Sequence, residues 1–186
     1  MRNVHLKNCI ANGCGIGPAI FESVEIEGLA TNDLLIIWAA IFDRVKLAGD
    51  IGKMKINSWA HFTDRTEVTQ GPFTRAREKY YRQVDWALDI SEARFKGFDV
   101  TGIPARLFRR DPETQVVVTR ERLAADNGQR LARADGNVWL PWIRGALSDG
   151  SSDSVLVTPL GAPKRKRDEF LNGLQQLREL EIVEPD

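Results

Sequence analysis

The sequence has few of the residues that build metal centres and disulfide frameworks. Its 186 residues include two cysteines and two histidines: Cys9, Cys14, His5 and His61. A single C-x4-C pair without a second pair is a poor set of zinc ligands, and such sparse cysteine use suits a reducing compartment. We therefore expect no metal site and no cofactor.

Long apolar segments are also absent. The longest uninterrupted apolar run covers nine residues, 34–42, whereas a membrane helix needs about 20. The amino-terminal residues 1–13 contain no apolar core of a secretory signal peptide. These features predict a cytoplasmic protein without a membrane partner.

Neither sign of charge is in excess. Lys and Arg together number 26, as do Asp and Glu, so the formal net charge is zero. General nucleic-acid binders usually carry a basic excess, and the composition therefore argues against a nucleic-acid partner. The hydrophobic fraction of 42% is enough to bury a core. We predict a single domain over residues 1–186.

A five-residue repeat runs through the first half of the chain. The first residues of six successive units are small or apolar: Val4, Cys9, Cys14, Ala19, Val24 and Leu29. The third residues are apolar in the first five of these units: Leu6, Ala11, Ile16, Phe21 and Ile26. A period of five fits neither an amphipathic helix nor a plain strand. It predicts a chain that turns a corner every five residues and places both cysteines at inward, buried positions.

These units resemble those of the pentapeptide-repeat family, which have Leu or Phe at the centre, a small apolar residue two positions earlier and often a final glycine. The resemblance covers residues 4–57 and 88–107. It implies a mainly β fold, a right-handed parallel β-helix in which four sides close each coil of a solenoid. A parallel β-helix with longer, less regular sides is the alternative.

The two repeat blocks are separated by residues 58–87. Apolar residues at helical spacing predict an inserted helix from about Pro72 to Val84. The aromatic residues of this segment either attach that helix to the sheet, which we favour, or line a ligand groove. They are Trp59, Phe62, Phe73, Tyr80, Tyr81 and Trp86.

Residues 108–186 carry no repeat. A β-branched run at 115–120 and a second apolar run at 155–161 predict short strands. From Pro163, an apolar stripe that includes Phe170, Leu174 and Leu177 predicts a helix to about residue 181. Because the exposed end of a solenoid is an open sheet edge, we expect this helix to cap it.

Clustered basic residues are the candidate binding residues. They are the run Lys164, Arg165, Lys166 and Arg167 and the pair Arg109 and Arg110. The run crowds the amino end of the predicted C-terminal helix, where the helix dipole favours anions over cations. This arrangement indicates a phosphate or an acidic protein surface as partner, and the alternative is a solvated first turn. No catalytic motif occurs, so we predict no catalytic residue.

Together these features predict a non-catalytic protein–protein interaction module that presents a β-helix face to a protein partner, with an immunity or antitoxin role as one form. One alternative is an enzyme or ligand binder for a carbohydrate or acidic small molecule at a solenoid face. Carboxylates about 5–10 Å apart in a groove would favour that alternative. A structural module that oligomerises is the other.

Overall fold

The computed structural model of the chain has a mixed α/β fold built on a curled parallel sheet. The structure describes residues 1–61, 64–125, 128–148 and 151–185. Within these ranges the large sheet has eight strands: β1 (Arg2–Ala11), β2 (Gly15–Ile16), β3 (Ile20–Thr31), β4 (Leu35–Trp38), β5 (Ile41–Asn57), β6 (Leu88–Asp89), β7 (Ala93–Val100) and β8 (Phe108–Arg109). Their order is β1-β3-β5-β4-β2, with β6 and β7 paired to β5 and β8 paired to β6. The sheet curls into a half-barrel.

A smaller antiparallel sheet and five α-helices complete the described part of the chain. The sheet pairs β9 (Gln115–Thr119) with β10 (Asp153–Val157). The helices are α1 (Glu67–Tyr81), α2 (Arg120–Ala124), α3 (Gln129–Arg133), α4 (Leu140–Ser148) and α5 (Lys164–Glu179), and Ala105–Leu107 forms a 3-10 turn. No helix in the described ranges combines the length and apolar character needed to cross a membrane.

Each long strand of the curled sheet is bent at two positions, and the bends are aligned between strands. The first set comprises Asn3, Ser23 and Arg44, with φ of 54°, 53° and 55°, and the second comprises Asn8, Gly28 and Gly49, with φ of 52°, 73° and 71°. A left-handed residue turns an extended chain sharply. In each strand the two bends lie five residues apart, so the five-residue repeat of the sequence corresponds to the spacing of the bends.

The predicted right-handed parallel β-helix is wrong, and so is the mainly β, solenoid description that goes with it. β3 and β5 are continuous bent strands of 12 and 17 residues in an open half-barrel. The hydrophobic cluster inside the curl takes Tyr81 and Val84 from the segment between the repeat blocks, and Val155 and Val157 from β10. Side chains from outside the repeat therefore complete the core of the half-barrel.

The repeat nevertheless predicts which side chains face the core. Phe21, Phe42, Leu47, Phe95 and Val100 are buried in one cluster, as their positions in the units predict. Two further third-position residues, Ile16 and Ile26, are half-buried against that cluster, and Leu6 on β1 is half-buried. Burial is least complete in β1 because its only partner within the described residues is β3.

The predicted burial of both cysteines is wrong. Cys9 is half-buried on β1 and Cys14 is exposed just before β2, and both thiols are free. Their units lie at the start of the sheet, where fewer strands cover the inward positions.

The inserted helix forms, with bounds that differ from those predicted. α1 begins at Glu67 rather than Pro72, because the Asp64 carboxylate accepts a 2.7 Å hydrogen bond from the Thr66 backbone and organises the turn before the helix. The helix ends at Tyr81, three residues before Val84.

The C-terminal helix forms close to its predicted bounds, but it does not cap the curled sheet. Phe170, Leu174 and Leu177 of α5 lie in a second hydrophobic cluster, against β9, β10 and α4. Strand β10 joins the two clusters, since Val155 and Val157 face the first and Leu156 faces the second. The smaller sheet thus lies between α5 and the half-barrel. The prediction of a single domain over residues 1–186 stays a prediction.

Candidate functional site

Three lysines from separate elements meet at the amino end of α5. Lys53 of β5, Lys96 of β7 and Lys166 of α5 line one groove of about 580 Å³. The other described residues that line it are Gly161, Ala162 and Pro163, so no carboxylate among them faces these lysines. We call the set Lys53, Lys96, Lys164, Arg165 and Lys166 the basic surface.

A close backbone contact sets the position of α5 beside the sheet. The Gly161 N–H donates a 2.8 Å hydrogen bond to the Phe95 carbonyl oxygen of β7. A Cβ on Gly161 would lie 2.7 Å from the Arg94 carbonyl oxygen, so a larger residue would force the two segments apart. Because α5 begins three residues after Gly161, this contact brings the predicted basic run next to the exposed Lys96.

The cations of the basic surface have no ion-pair partner in the described ranges, whereas other cations of the sheet do. Lys7 lies 2.9 Å from Glu27, Lys46 lies 2.7 Å from Glu92, and Arg94 lies 2.7 Å from Asp50. The Lys7 hydrogen bond lowers the pKa of Glu27, and the Glu92 hydrogen bond raises the pKa of Lys46. The five cations of the basic surface are therefore not neutralised by ion pairs, although Glu27 and Asp50 line the adjoining groove beside Lys96.

The amino end of α5 adds to that charge. Pro163 precedes the helix and offers no side-chain cap, so the first N–H groups of α5 have no side-chain acceptor. The helix dipole also places a partial positive charge at this end. These groups and the lysines together form an environment that favours an anionic partner.

The remaining predicted binding residues, unlike the cations of the basic surface, each contact a partner within the protein. Arg167 pairs with Asp168 at 3.5 Å. The Arg109 guanidinium lies 4.2 Å from the centre of the Trp86 ring, and Arg110 donates a 2.8 Å hydrogen bond to the Gln115 carbonyl oxygen. The structure thus gives Arg109 and Arg110 local contacts and does not place them on the basic surface.

A second groove lies between the curled sheet and α4. It has a volume of about 570 Å³, and its walls include Trp38, Trp59 and Trp142. The Trp38 and Trp59 rings meet edge to face at a centroid distance of 4.5 Å, and the Arg65 guanidinium lies 3.6 Å from the centre of the Trp59 ring. We call this the aromatic groove.

Polar side chains from two neighbouring strands also line the aromatic groove. Lys55 of β5 and Asp99 of β7 are register partners and form an ion pair. Asn57 is 4% exposed, and its side chain makes no hydrogen bond within the described part of the molecule. An amide that lines a groove and has no partner within the protein can hydrogen-bond a ligand.

The predicted aromatic set is divided between two roles. Tyr80 and Tyr81 attach α1 to the sheet, as the favoured interpretation predicts: the Phe42 N–H donates a 3.2 Å hydrogen bond to the Tyr81 hydroxyl. Burial raises the pKa of Tyr81 to about 12. Trp59 instead lines the aromatic groove, and Phe62 lies outside the described residues.

Trp38 and Trp142 were not singled out by the sequence. They lie more than 100 positions apart, on β4 and α4, and only the packing of α4 against the sheet makes them part of one groove. Lys53 and Lys96 were also not predicted as site residues. An alignment of the two repeat blocks would have indicated that the two lysines lie on neighbouring strands. Among the described residues, no cluster of three or more His, Cys, Asp and Glu side chains could hold a metal ion.

Comparison with protein-family models, with curated proteins and with solved structures finds no match to this chain. The resemblance of the repeat units to the pentapeptide-repeat family therefore stays a prediction.

Proposed function

We propose that this protein is a non-catalytic interaction module that binds an acidic surface of a protein partner through its basic surface. The observation that carries the proposal is the groove in which Lys53, Lys96 and Lys166 meet without a carboxylate among its described lining residues. Like charges held together repel, and carboxylates from a partner would remove that repulsion.

The charge distribution favours a protein partner over a nucleic acid. A nucleic-acid site usually follows the phosphate backbone along an extended basic stripe. Here the neighbouring sheet cations are already paired with carboxylates, as Arg94 is with Asp50 and Lys7 with Glu27. The basic surface is therefore a local patch on a chain of zero net charge. The immunity or antitoxin role stays a prediction.

A pair of charge-reversal variants tests this function. Lys96→Glu/Lys166→Glu alters the basic surface, and Lys79→Glu/Arg133→Glu makes the same change in net charge at exposed positions of α1 and α3. With poly-L-glutamate as a defined acidic polypeptide, we expect about tenfold weaker binding for the first variant only. Cross-linking capture with the same three proteins should then identify a partner that only the first variant loses.

Two results would contradict the proposal. One is equal binding of poly-L-glutamate by the parent and both variants, which would make the basic surface a solvated face. The other is tighter binding of a DNA duplex than of the polypeptide at the same salt concentration, which would indicate a nucleic-acid partner.

The aromatic groove supports a second candidate function, binding of a neutral carbohydrate. Trp38, Trp59 and Trp142 offer flat apolar surfaces, on which the apolar face of a sugar ring can stack. The unpartnered Asn57 amide and the Lys55–Asp99 pair offer donors and acceptors for hydroxyl groups. Asp99 is the one carboxylate among the described lining residues, so the groove lacks the carboxylate pair that glycoside hydrolysis uses.

Tryptophan fluorescence distinguishes this second function from the first. Titration with maltohexaose, cellohexaose and chitohexaose should give a saturable change with at least one sugar, and Trp142→Ala should abolish it. Trp86→Ala is the matched control, because Trp86 lies outside the groove, beneath Arg109. A flat titration with all three sugars, or an unchanged response in Trp142→Ala, would remove this candidate.

A further inference from the structure

A third cavity, of about 520 Å³, lies beside the carboxyl end of α1 and is lined by three arginines. Arg77 belongs to α1, Arg82 follows that helix directly, and Arg106 lies in the 3-10 turn. Ser58 and Gly102 line the same cavity. None of these arginines belongs to the basic surface or was a candidate from the sequence.

A hydrogen bond to a backbone carbonyl holds Arg77 in place, and Gly102, which has no side chain, leaves space for the guanidinium. Arg77 Nη1 donates a hydrogen bond to the Ser58 carbonyl oxygen. A Cβ on Gly102, where φ is 81°, would lie 3.1 Å from Arg77 Nε and 2.5 Å from Ser58 Cβ. Gly102 thus leaves the room that the guanidinium occupies.

Burial lowers the pKa of Arg77, because the charged guanidinium is partly removed from water. A charge in that position is stabilised by a counter-ion or by further hydrogen bonds. Each guanidinium has five N–H donors. The structure gives one acceptor to Arg77, the Ser58 carbonyl, and one to Arg106, the Tyr81 carbonyl at 3.1 Å from its Nη2.

The three arginines make no ion pair within the described ranges, although two carboxylates also line the cavity. Asp153 is engaged by the backbone, since its Oδ1 accepts a 3.0 Å hydrogen bond from the Ala105 N–H. Glu78 is exposed on α1. Three guanidinium groups against two carboxylates leave this cavity with an excess positive charge.

We propose that this cavity binds the phosphate group of a small phosphorylated molecule. Guanidinium forks bind phosphate oxygens through paired hydrogen bonds, and a phosphate monoester carries a charge of about −1.5 to −2 at neutral pH. Phosphate oxygens would supply acceptors for the free donors of Arg77 and Arg106. A phosphate group alone fills only a small part of 520 Å³, which leaves space for the molecule that carries it.

Isothermal titration at constant ionic strength tests the site with three probes: inorganic phosphate, glucose 6-phosphate and citrate. We expect saturable binding of both phosphates, and about tenfold weaker binding in Arg106→Gln. Arg106 is exposed, so this variant should stay folded, with a thermal midpoint lowered only by the loss of its hydrogen bond to the Tyr81 carbonyl oxygen. Arg77→Lys keeps a charge but loses the fork, and it should also weaken binding.

Two controls separate this site from non-specific attraction. Arg75→Gln removes an arginine of the same helix that pairs with Glu67 and lies outside the cavity, and Lys79→Glu/Arg133→Glu removes positive charge at exposed positions that line neither the cavity nor the basic surface. Both should bind phosphate as the parent does. The proposal is overturned if phosphate gives no saturable heat up to about 10 mM, if Arg106→Gln binds like the parent, or if citrate binds and neither phosphate does.

Discussion

The phenyl rings of Phe21 and Phe42 stack with their centroids 5.4 Å apart and their planes 16° apart. The two residues are register partners on β3 and β5, and they are 9% and 4% exposed. Their side chains therefore join adjacent strands on the inner side of the curl, where the first hydrophobic cluster lies.

Replacing Phe42 with alanine should destabilise the protein by about 3–5 kcal/mol, because it removes a buried ring and leaves a cavity beside Phe21. Chemical denaturation followed by circular dichroism measures the free energy of unfolding. Ile20→Ala is the control, since Ile20 begins β3 and is 46% exposed. A loss for Phe42→Ala no larger than that of the control would mean that the stack does not support the core.

The bend at Gly49 depends on its left-handed conformation. With φ at 71°, an alanine there is strained, and we expect Gly49→Ala to cost about 1–2 kcal/mol of unfolding free energy. Gly97 on β7 is the matched glycine, because a Cβ there would lie 3.7 Å from Lys53 Cγ, an ordinary contact. Gly97→Ala should be neutral or stabilising by about 0.4–1 kcal/mol. Equal effects of the two substitutions would show that the bend does not need glycine.

The two thiols should react at different rates with a thiol reagent under native conditions. Cys14 is exposed and should label at once, whereas the half-buried Cys9 should label more slowly until denaturant is added. Cys9→Ser and Cys14→Ser assign the two phases. Slow labelling of both cysteines would mean that the loop before β2 is more covered than the structure shows.

Stability should fall at alkaline pH because of Tyr81. The pKa of this phenol is near 10 in the unfolded chain and about 12 in the folded protein. Between these values the unfolded state loses a proton that the folded state keeps, so the free energy of unfolding decreases as pH rises from about 10 to 12, by about 2–3 kcal/mol. Below pH 10 the contribution is fully present.

Denaturation of the parent and of Tyr81→Phe across this pH range isolates the contribution of Tyr81. The variant should lose that part of the pH dependence, and Tyr80→Phe should retain it. A parallel decline in parent and Tyr81→Phe would assign the alkaline loss to other groups.

The sequence predicted the inward side chains of β3, β5 and β7 well, those of the first repeat units less well, as Cys14 shows, and the architecture poorly. The five-residue period reports where the backbone bends, and the bends fix which residues point inward, as for Phe21 and Phe95. What fills the curl depends instead on contacts between distant segments, such as Val155 of β10 against the first cluster. A local repeat carries no information about those contacts.

The candidate sites were predictable only in part for the same reason. The run from Lys164 to Arg167 is visible because its residues are contiguous, and its crowding at a helix start indicates an anion. Lys53 and Lys96 join it through strand pairing and through the Gly161 contact. The cavity around Arg77 needs the fold of three separate segments before it exists.

The bends in β1 also bear on self-association. β1 is an edge strand, with β3 as its one partner in the described ranges, and Ile10 on it is 71% exposed. A long, flat, apolar edge is a template on which strands of other molecules can add and aggregate. Asn3 and Asn8 interrupt that template, because an incoming straight strand would lose its hydrogen-bond register at each bend. The residues that curl the sheet thus also disfavour the addition of a straight strand to its free edge.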